Sequence, residues 1–381
     1  MSLDPVELAQ ALIRRPSVTP ADAGAMGVLQ TRLEALGFAC RRMRFGEIEN
    51  LYARLGTDCP NLCFAGHTDV VPPGDAAAWS VDPFAAEVRD GVLVGRGAVD
   101  MKGAIAAWTA AVARRMAAGG VGGSLSFLIT GDEEGVALDG TKRVVETLMA
   151  EGERIDHCLV GEPSSVAALG DVSKVGRRGS LNVWITVHGR QGHVAYPELA
   201  ANPIPVLIRL LDRLASRRLD EGYPSFPPSN LEITTVDVAN PASNVIPPRA
   251  LGRFNIRFNP GHTGAELMAW IEGEAKAVEA DSGLKIELDM LCSGDAFLTE
   301  PGPFVELVSE VIEQETGRRP EPNTKGGTSD ARFIRALCPV LEFGLIGQTM
   351  HQVDEQVPAA QIEQLSAIYE ALIQRYFERF G

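Results

Sequence analysis

Leu62-Cys63-Phe64-Ala65-Gly66-His67-Thr68-Asp69 is the stretch of sequence that decides the fold. Its first four residues are apolar and predict a short buried strand. His67 and Asp69 follow where that strand ends and a loop begins, which is where open α/β sheets carry their functional groups. By itself the pair fits either a metal ligand with an orienting partner or an ordinary polar loop.

The same arrangement, an apolar strand followed by acidic residues, recurs further along the chain. The apolar run 125–129 leads to Glu133 and Glu134, and the run 157–160 leads to Glu162. Helical segments alternate with these strands, which predicts an α/β fold with a mostly parallel sheet and helices on both faces. One edge of the sheet should therefore collect the acidic side chains.

Two further segments supply chemical groups to that edge. The glycine-rich residues 91–103 carry Asp100 and open a helix predicted from Ala104 to Ala118. An acid in place of the third glycine of a dinucleotide fingerprint would repel pyrophosphate, which argues against nucleotide binding there. Late in the chain, His351 follows the apolar strand 340–343.

A different pattern begins at Gly179. Apolar and polar residues alternate from there, as is typical of a sheet with one face on a core. The elements that follow have the order β-α-β-β-α-β, which is ferredoxin-like. We therefore predict a catalytic metal-binding domain of residues 1–178 and 293–381, with an inserted ferredoxin-like α+β domain of residues 179–292.

Length and composition suit a globular protein of two domains, with 381 residues of which 45% are apolar. No apolar run approaches the roughly 18 residues of a membrane span, and the first residues lack the basic and apolar regions of a signal peptide, so we expect a cytoplasmic protein. The net charge of −15 argues against nucleic acid and membrane partners. The six scattered cysteines should be reduced thiols.

The collected residues suit a centre for two metal ions. Such a centre needs about two terminal ligands for each ion plus a bridging group, and zinc commonly takes carboxylates with imidazoles. In this scheme Asp100 bridges the ions. His67 and Glu162 hold one ion, and Glu134 and His351 hold the other.

Two acidic residues remain for other roles. Asp69 would accept the second ring N–H of His67 and orient that ring. Glu133 has no metal to hold and is free to act as general base on the attacking water. Paired ions about 3.5 to 4 Å apart lower the pKa of water and polarise a carbonyl, which hydrolysis of an unactivated amide requires.

Four motifs carry a resemblance to a known clan: Gly66-His67-Thr68-Asp69-Val70-Val71-Pro72, Gly97-Ala98-Val99-Asp100-Met101-Lys102-Gly103, Asp132-Glu133-Glu134-Gly135 and Gly161-Glu162-Pro163-Ser164. They resemble the di-zinc amidohydrolases and exopeptidases that include acetylornithine deacetylase, aminoacylase and glutamate carboxypeptidase. The finer pattern is most similar to the succinyl-diaminopimelate desuccinylase family. It comprises Arg177-Arg178-Gly179-Ser180, Gly192-His193-Val194-Ala195-Tyr196-Pro197, Gly326-Gly327-Thr328-Ser329-Asp330-Ala331-Arg332-Phe333 and the segment from Gly344 to His351.

The resemblance implies a zinc exopeptidase-like fold and hydrolysis of N-succinyl-LL-2,6-diaminopimelate to succinate and LL-2,6-diaminopimelate. That reaction belongs to lysine and cell-wall precursor biosynthesis. It also implies two Zn²⁺ per subunit, with Co²⁺ as an alternative in one site. The enzyme should be a homodimer whose inserted domain serves dimerisation and closes over the substrate.

The resemblance also implies roles for residues outside the metal centre. His193, from the neighbouring subunit, would stabilise the oxyanion. The substrate carboxylates would be bound by Arg178, Tyr196, Asn244 and Arg257 of the smaller domain and by Gly327, Thr328 and Ser329 of the catalytic domain. Guanidinium groups bind carboxylates through two bonds, and a Gly-Gly-Thr-Ser turn that enters a helix offers free N–H groups to an anion.

Each of these residues also has a structural explanation. Asp100 could be a helix cap, Glu162 a capping acid before a proline, His351 a surface histidine and Arg257 an exposed strand residue. Jointly they favour the metal centre, because all the acids follow strands of one sheet. Two other functions stay open. One is another acyl-amino-acid deacylase or a carboxypeptidase on the same scaffold, and the other is a catalytically silent metal-binding protein, although no ligand or base is missing.

Overall fold

The computed structural model describes residues 3–381, so the first two residues of the segment considered as a signal peptide lie outside it. The helices are α1 (Pro5–Ile13), α2 (Ala25–Ala35), α3 (Lys102–Ala117), α4 (Thr141–Ala150), α5 (Pro203–Ala215), α6 (Gly264–Ser282), α7 (Pro303–Thr316), α8 (Ala331–Ile334) and α9 (Ala359–Phe380). Within these residues no helix has the length and apolar character needed to cross a membrane.

The strands are β1 (Ala39–Phe45), β2 (Ile48–Leu55), β3 (Asn61–His67), β4 (Glu87–Arg89), β5 (Val92–Val94), β6 (Ser124–Thr130), β7 (His157–Val160), β8 (Val172–Lys174), β9 (Gly176–Arg177), β10 (Gly179–His188), β11 (Gly192–His193), β12 (Asn230–Asp237), β13 (Val245–Ile246), β14 (Arg249–Phe258), β15 (Ile286–Gly294), β16 (Phe297–Leu298), β17 (Glu321–Asn323), β18 (Val340–Glu342) and β19 (Gln356–Pro358).

The chain forms two compact units. The first runs to Gly176 and resumes over Thr299–Asn323 and Ser329–Gly381, and the second comprises Arg177–Leu298 and Thr324–Thr328. From the sequence, Gly327 and Thr328 are expected in the catalytic domain, but they belong to the second unit.

Two hydrogen bonds explain why this short segment joins the second unit. The hydroxyl of Thr324 donates to the carbonyl of Ser225. The guanidinium of Arg177 donates to the carbonyl of Gly327 over 3.1 Å. Both ends of the segment are therefore bonded within that unit.

An eight-stranded sheet lies at the centre of the first unit, in the order β1-β2-β6-β3-β7-β18-β8-β17. Strands β6, β3, β7 and β18 run parallel, and β1 and β2 add an antiparallel hairpin at one side. Strand β3 is buried along its whole length, which explains its unbroken apolar start. The predicted α/β fold with a mostly parallel sheet is confirmed.

Aromatic side chains from β3, α3 and α9 form part of the core on this sheet. Phe64 stacks on Trp108 with ring centroids 4.9 Å apart, and Tyr369 meets both rings edge on. Such aromatic pairs contribute about 0.5 to 1.5 kcal/mol each beyond the area they bury. The packing fixes the strand whose last residue is His67.

The second unit contains a four-stranded antiparallel sheet in the order β12-β14-β10-β15. In β10 the alternate residues Leu181, Val183, Ile185 and Val187 are buried, and they pack with apolar side chains of α5 and α6 in one core. This strand order is the one that a β-α-β-β-α-β chain adopts in the ferredoxin-like motif. The predicted α+β character of this part is confirmed.

The sequence does not predict a small three-stranded sheet in the order β19-β5-β4, because its strands are too short to show periodicity. Val94 of β5 pairs with Gln356 of β19. This pairing joins the segment that precedes Asp100 to the segment that follows His351. The helix after Asp100 begins at Lys102, slightly earlier than predicted.

Candidate metal centre

Four neighbouring parallel strands end at the same edge of the sheet, and the loops after them carry most of the predicted ligands. The carboxyl ends of parallel strands are where α/β sheets place their functional groups. The loop between β5 and α3 reaches the same edge. The residues brought together are His67, Asp100, Glu133, Glu134, Glu162 and His351.

Their donor atoms form three overlapping trios, each with its atoms within 4.8 Å of one another. The trios are His67 with Asp100 and Glu162, Asp100 with Glu134 and His351, and His67 with Glu133 and Glu134. Asp100 therefore belongs to two of the trios, each of which contains a different histidine.

The two carboxylate oxygens of Asp100 face in different directions. Oδ1 lies 3.1 Å from Nε2 of His67, and Oδ2 lies 3.3 Å from Nε2 of His351. Glu162 Oε1 lies 3.8 Å from the first imidazole, and Glu134 Oε1 lies 2.8 Å from the second. Two donors on one tetrahedral zinc ion are about 3.4 Å apart, so these separations fit two ions that share Asp100.

The electrostatics of the centre also suit a cation. Burial alone would raise the pKa of Asp100, but hydrogen bonds with His351 and His67 hold that pKa well below its usual range. Hydrogen bonds to Asp100 and Glu134 raise the pKa of His351 to about 10. Several carboxylates taken out of water need positive charge beside them, and divalent ions would provide it.

Glu133 differs from the other acids of the centre. Burial raises the pKa of its carboxyl group well above the usual range, and the nearby charge of Glu162 adds to the effect. A carboxylate with a raised affinity for a proton is suited to general base catalysis. The trio that contains Glu133 also places it beside His67, within reach of the same centre.

Asp69 has a different partner from the one predicted. Nδ1 of His67 donates to the backbone carbonyl of Asp69 over 2.9 Å, whereas the Asp69 carboxylate is 3.7 Å away. The carboxylate accepts the backbone N–H groups of Glu133 and Glu134 instead, over 3.2 and 3.0 Å. Asp69 therefore orients His67 through its main chain, because the loop turns the carbonyl toward the ring and the side chain toward the loop after β6.

Two predicted substrate residues lie side by side in the second unit. Arg178 donates to the side chain of Asn230 over 2.9 Å, and Arg257 pairs with the same residue across the sheet. Among the described residues, Nε of Arg178 and Nη1 of Arg257 are buried without a hydrogen-bond partner. Burial lowers the pKa of both guanidinium groups, and the charge of Arg178 lowers that of Arg257 further. Two adjacent cations of this kind fit an anionic carboxylate.

Three further predicted residues cluster around the pairing of β11 with β13, also in the second unit. His193 is exposed, its Nδ1 accepts the N–H of Ala195 over 3.1 Å, and its ring centroid lies 5.8 Å from that of Tyr196. The carbonyl of Asn244 accepts the N–H of Val194. The structure therefore brings His193, Tyr196 and Asn244 into one region.

The remaining predicted substrate residues are divided between the units. Gly327 and Thr328 belong to the second unit, and Ser329 belongs to the first. Ser329 is fully buried, and its hydroxyl donates to the carboxylate of Glu342. The hydroxyl group of Ser329 is therefore already engaged within the protein.

Two charged residues beside the centre are not predicted from the sequence. Arg96 and Glu355 are almost completely buried and form an ion pair of 2.8 Å. No periodic pattern marks either residue. The only signal in the sequence is that each lies four residues from a predicted ligand, Asp100 or His351.

The chain resembles known proteins over its full length. Residues 63–375 match the model of peptidase family M20/M25/M40. The chain is 68% identical over 382 residues to a succinyl-diaminopimelate desuccinylase of Caulobacter vibrioides, covering 100% of this chain and 98% of that protein. A protein of the same name from Phenylobacterium zucineum is 66% identical over 377 residues, covering 99% of both chains. These identities confirm the resemblance that the motifs carry.

Solved structures agree on the fold. An M20 family metallo-carboxypeptidase from Sulfolobus solfataricus has a TM-score of 0.81 at 14% identity, with 98% of this chain and 99% of that chain covered. At this identity the likeness concerns the fold alone. The family match and the relatives at 68% and 66% identity show that this chain belongs to peptidase family M20/M25/M40.

Proposed function

We propose that this chain is a metal-dependent amide hydrolase that removes succinate from N-succinyl-LL-2,6-diaminopimelate and releases LL-2,6-diaminopimelate. The observation that carries the chemistry is Asp100, whose two oxygens face two different histidines. One of these histidines, His67, lies close to Glu133. The substrate is supported by the desuccinylases that are 66% and 68% identical to this chain. The reaction would serve lysine and cell-wall precursor biosynthesis.

Zinc is the metal that this set of donors favours, because it combines imidazole nitrogens with carboxylate oxygens. His67 and Glu162 would hold one ion, Glu134 and His351 the other, and Asp100 both. Cobalt is the proposed alternative in one site. Two bound divalent ions would polarise the amide carbonyl and lower the pKa of the attacking water.

Glu133 is the proposed general base. It would remove a proton from the attacking water as the oxygen–carbon bond forms, and deliver a proton to the amine nitrogen as the carbon–nitrogen bond breaks. Succinate then leaves as a carboxylate and diaminopimelate as an amine. The hydrogen bonds from the Glu133 and Glu134 backbones to Asp69 hold this base in place.

The second unit supplies all the proposed substrate contacts except Ser329, which belongs to the first unit. Arg178 and Arg257 would bind a substrate carboxylate, since both retain buried guanidinium nitrogens without a partner among the described residues. Their local charge must overcome a net charge of −15 on the whole chain. Tyr196, Asn244, Gly327, Thr328 and Ser329 are the other proposed contacts.

The proposed active form is a cytoplasmic homodimer in which the second unit serves dimerisation and closes over the substrate. His193 would then donate a hydrogen bond to the developing oxyanion from the neighbouring subunit. Its exposed position in the second unit supports this role. Sedimentation of the purified protein, combined with the activity of mixed dimers that carry His193→Ala in one subunit, tests both points.

A comparison of substrates tests the proposed function directly. Hydrolysis of N-succinyl-LL-2,6-diaminopimelate should exceed that of N-acetylornithine and of short peptides by orders of magnitude in kcat/KM. Metal content should be measured in the same preparation before and after chelation. Activity should fall as the metal is removed. A preference for N-acetylornithine would indicate a different deacylase, and a preference for peptides would indicate a carboxypeptidase.

A further inference from the structure

One buried carboxylate organises the main chain that leads to Asp100. Glu355 is 0% exposed. Its Oε2 accepts the N–H of Gly97 over 3.0 Å, and its Oε1 accepts the N–H groups of Val99 and Asp100 over 2.8 and 3.1 Å. Its backbone carbonyl accepts the N–H of Gly95. Four backbone N–H groups of the loop from β5 to α3 therefore donate to a single glutamate.

Arg96 completes this arrangement. It is 2% exposed, and its Nη1 donates to Oε2 of Glu355 over 2.8 Å. Its Nη2 lies 3.5 Å from the carbonyl oxygens of Pro72 and His351. The Arg96–Glu355 pair therefore connects the loop after β3, the loop before α3 and the loop after β18. The last two of these loops carry Asp100 and His351, and the first follows directly on His67, the last residue of β3.

The hydrogen bonds of Glu355 also show what it does not do. A carboxylate offers about four lone-pair sites. Four N–H donors already occupy those of Glu355, three from the main chain and one from Arg96. Glu355 is therefore not available as a metal ligand, although it lies only four residues after His351.

We propose that Glu355 is a positioning residue that sets the place of Asp100 relative to His351, and thereby how well these two side chains would hold metal ions. The inference rests on the proposed function, because it uses Asp100 as the ligand shared by both ions. A shift of Asp100 would change the geometry of both sites at once. Residues that orient metal ligands commonly change metal affinity by about 10- to 100-fold when they are replaced.

Replacement of Glu355 by glutamine gives the sharpest test. The side chain keeps its size, but one acceptor oxygen becomes an NH₂ group that faces N–H donors. The metal-free variant should bind Zn²⁺ about 10- to 100-fold more weakly than the wild-type protein, measured by competition with a chromophoric chelator. Urea unfolding of the same metal-free samples measures stability separately.

Asp156→Asn is a matched control. Asp156 accepts the backbone N–H of Asn61 over 2.8 Å, at the start of β3 and thus at the end of the strand that is remote from His67. This variant should lose stability without any change in zinc affinity. A purely structural role for Glu355 predicts the same result for Glu355→Gln, and unchanged zinc affinity in that variant would overturn the inference.

Arg96→Lys provides a second variant should Glu355→Gln fail to fold. A lysine keeps a positive charge for Glu355 but loses the planar fork that reaches Pro72 and His351. Zinc affinity should again fall, by a smaller factor, and a wild-type affinity would contradict the proposal.

The same measurements separate this inference from the proposed function. Wild-type protein that binds two Zn²⁺ per chain but hydrolyses no succinylated substrate would refute the proposed function and leave the role of Glu355 standing. Normal hydrolysis by the wild-type protein, together with unchanged zinc affinity in Glu355→Gln, would support the proposed function and refute the role of Glu355.

Discussion

The backbone N–H of Glu133 donates a 3.2 Å hydrogen bond to the carboxylate of Asp69. The two residues follow neighbouring parallel strands, β3 and β6, and Asp69 is 1% exposed. The second oxygen of the same carboxylate accepts the N–H of Glu134. One acid therefore holds both the proposed base and a proposed ligand, while its carbonyl orients His67.

Asp69→Asn should therefore disturb the base more than the ligands. The amide presents an NH₂ group to one of the two N–H donors, whereas the bond from His67 to the backbone carbonyl remains. We expect kcat to fall by about 10- to 100-fold with zinc affinity changed much less. Steady-state kinetics and zinc titration of the same preparation check this.

Asp75→Asn is a suitable control for that variant, because Asp75 also accepts a backbone N–H, that of Ala77, in the segment after β3. It should leave kcat unchanged. If zinc affinity fell in Asp69→Asn by a larger factor than kcat, the Asp69 side chain would be acting on His67. The role assigned to Asp69 from the structure would then be wrong.

Glu133→Gln should retain both metal ions and lose most turnover. Glutamine cannot accept the proton of the attacking water, and loss of a general base costs about 10²- to 10⁴-fold in rate. Elemental analysis and kcat measure the two properties. Glu146→Gln, at a half-exposed position on α4, is the control and should have wild-type kinetics. Full activity in Glu133→Gln would remove Glu133 from the mechanism.

Arg257→Met should weaken substrate binding. A hydrogen bond to a charged group contributes about 1.5 to 3 kcal/mol, which corresponds to about 10- to 100-fold in KM. Zinc content should not change, because Arg257 lies in the second unit. Arg209→Met removes an exposed arginine of the same unit that pairs with Asp281, and its KM should stay normal. Equal KM values in the two variants would exclude Arg257 as a substrate contact.

Removal of the metal should lower the thermal stability of the protein. Without cations, the carboxylates of Asp100, Glu134 and Glu162 lie close together, and within residues 3–381 the two histidines grouped with them are His67 and His351. At a free Zn²⁺ concentration 100 times the Kd, one bound ion stabilises the folded state by about 2.7 kcal/mol. Calorimetry of metal-free and zinc-loaded protein should show a higher Tm with zinc. His67→Ala should show a smaller increase, and an equal increase would place the ions elsewhere.

Asp220 should make the free energy of unfolding depend on pH in the acid range. Burial alone raises the pKa of Asp220, but hydrogen bonds from Ser229, Gly222 and Asn259 lower it to about 2. Because the folded pKa lies below the unfolded value of about 3.9, this stabilisation is complete above that pH and is lost as the pH falls toward 2.

Asp220→Asn should accordingly lower the free energy of unfolding at pH 7, and the difference from wild type should shrink as the pH falls from 4 to 2. Urea unfolding across this range checks the sign. A difference that grew in acid would show that the ionised carboxylate of Asp220 does not stabilise the fold.

Much of the fold follows from local patterns. Each apolar strand of the central sheet is marked by its own residues. The acid or histidine at its end is also visible in the sequence, as with His67 at the end of β3 and Glu162 just after β7. Alternation along β10 marks the second sheet in the same way. The three-residue strands β5 and β19 have no such pattern, and they are found only in the structure.

The sequence by itself determined the order of the elements, the α/β character of the first unit and the candidate ligands, because these depend on neighbours along the chain. Only the tertiary structure decided which group the Asp69 carboxylate binds and what surrounds Glu355. Those hydrogen bonds join residues 64 and 255 positions apart, from Asp69 to Glu133 and from Glu355 to Asp100. No local pattern encodes such a contact, since it exists only after the sheet has brought the loops to one edge.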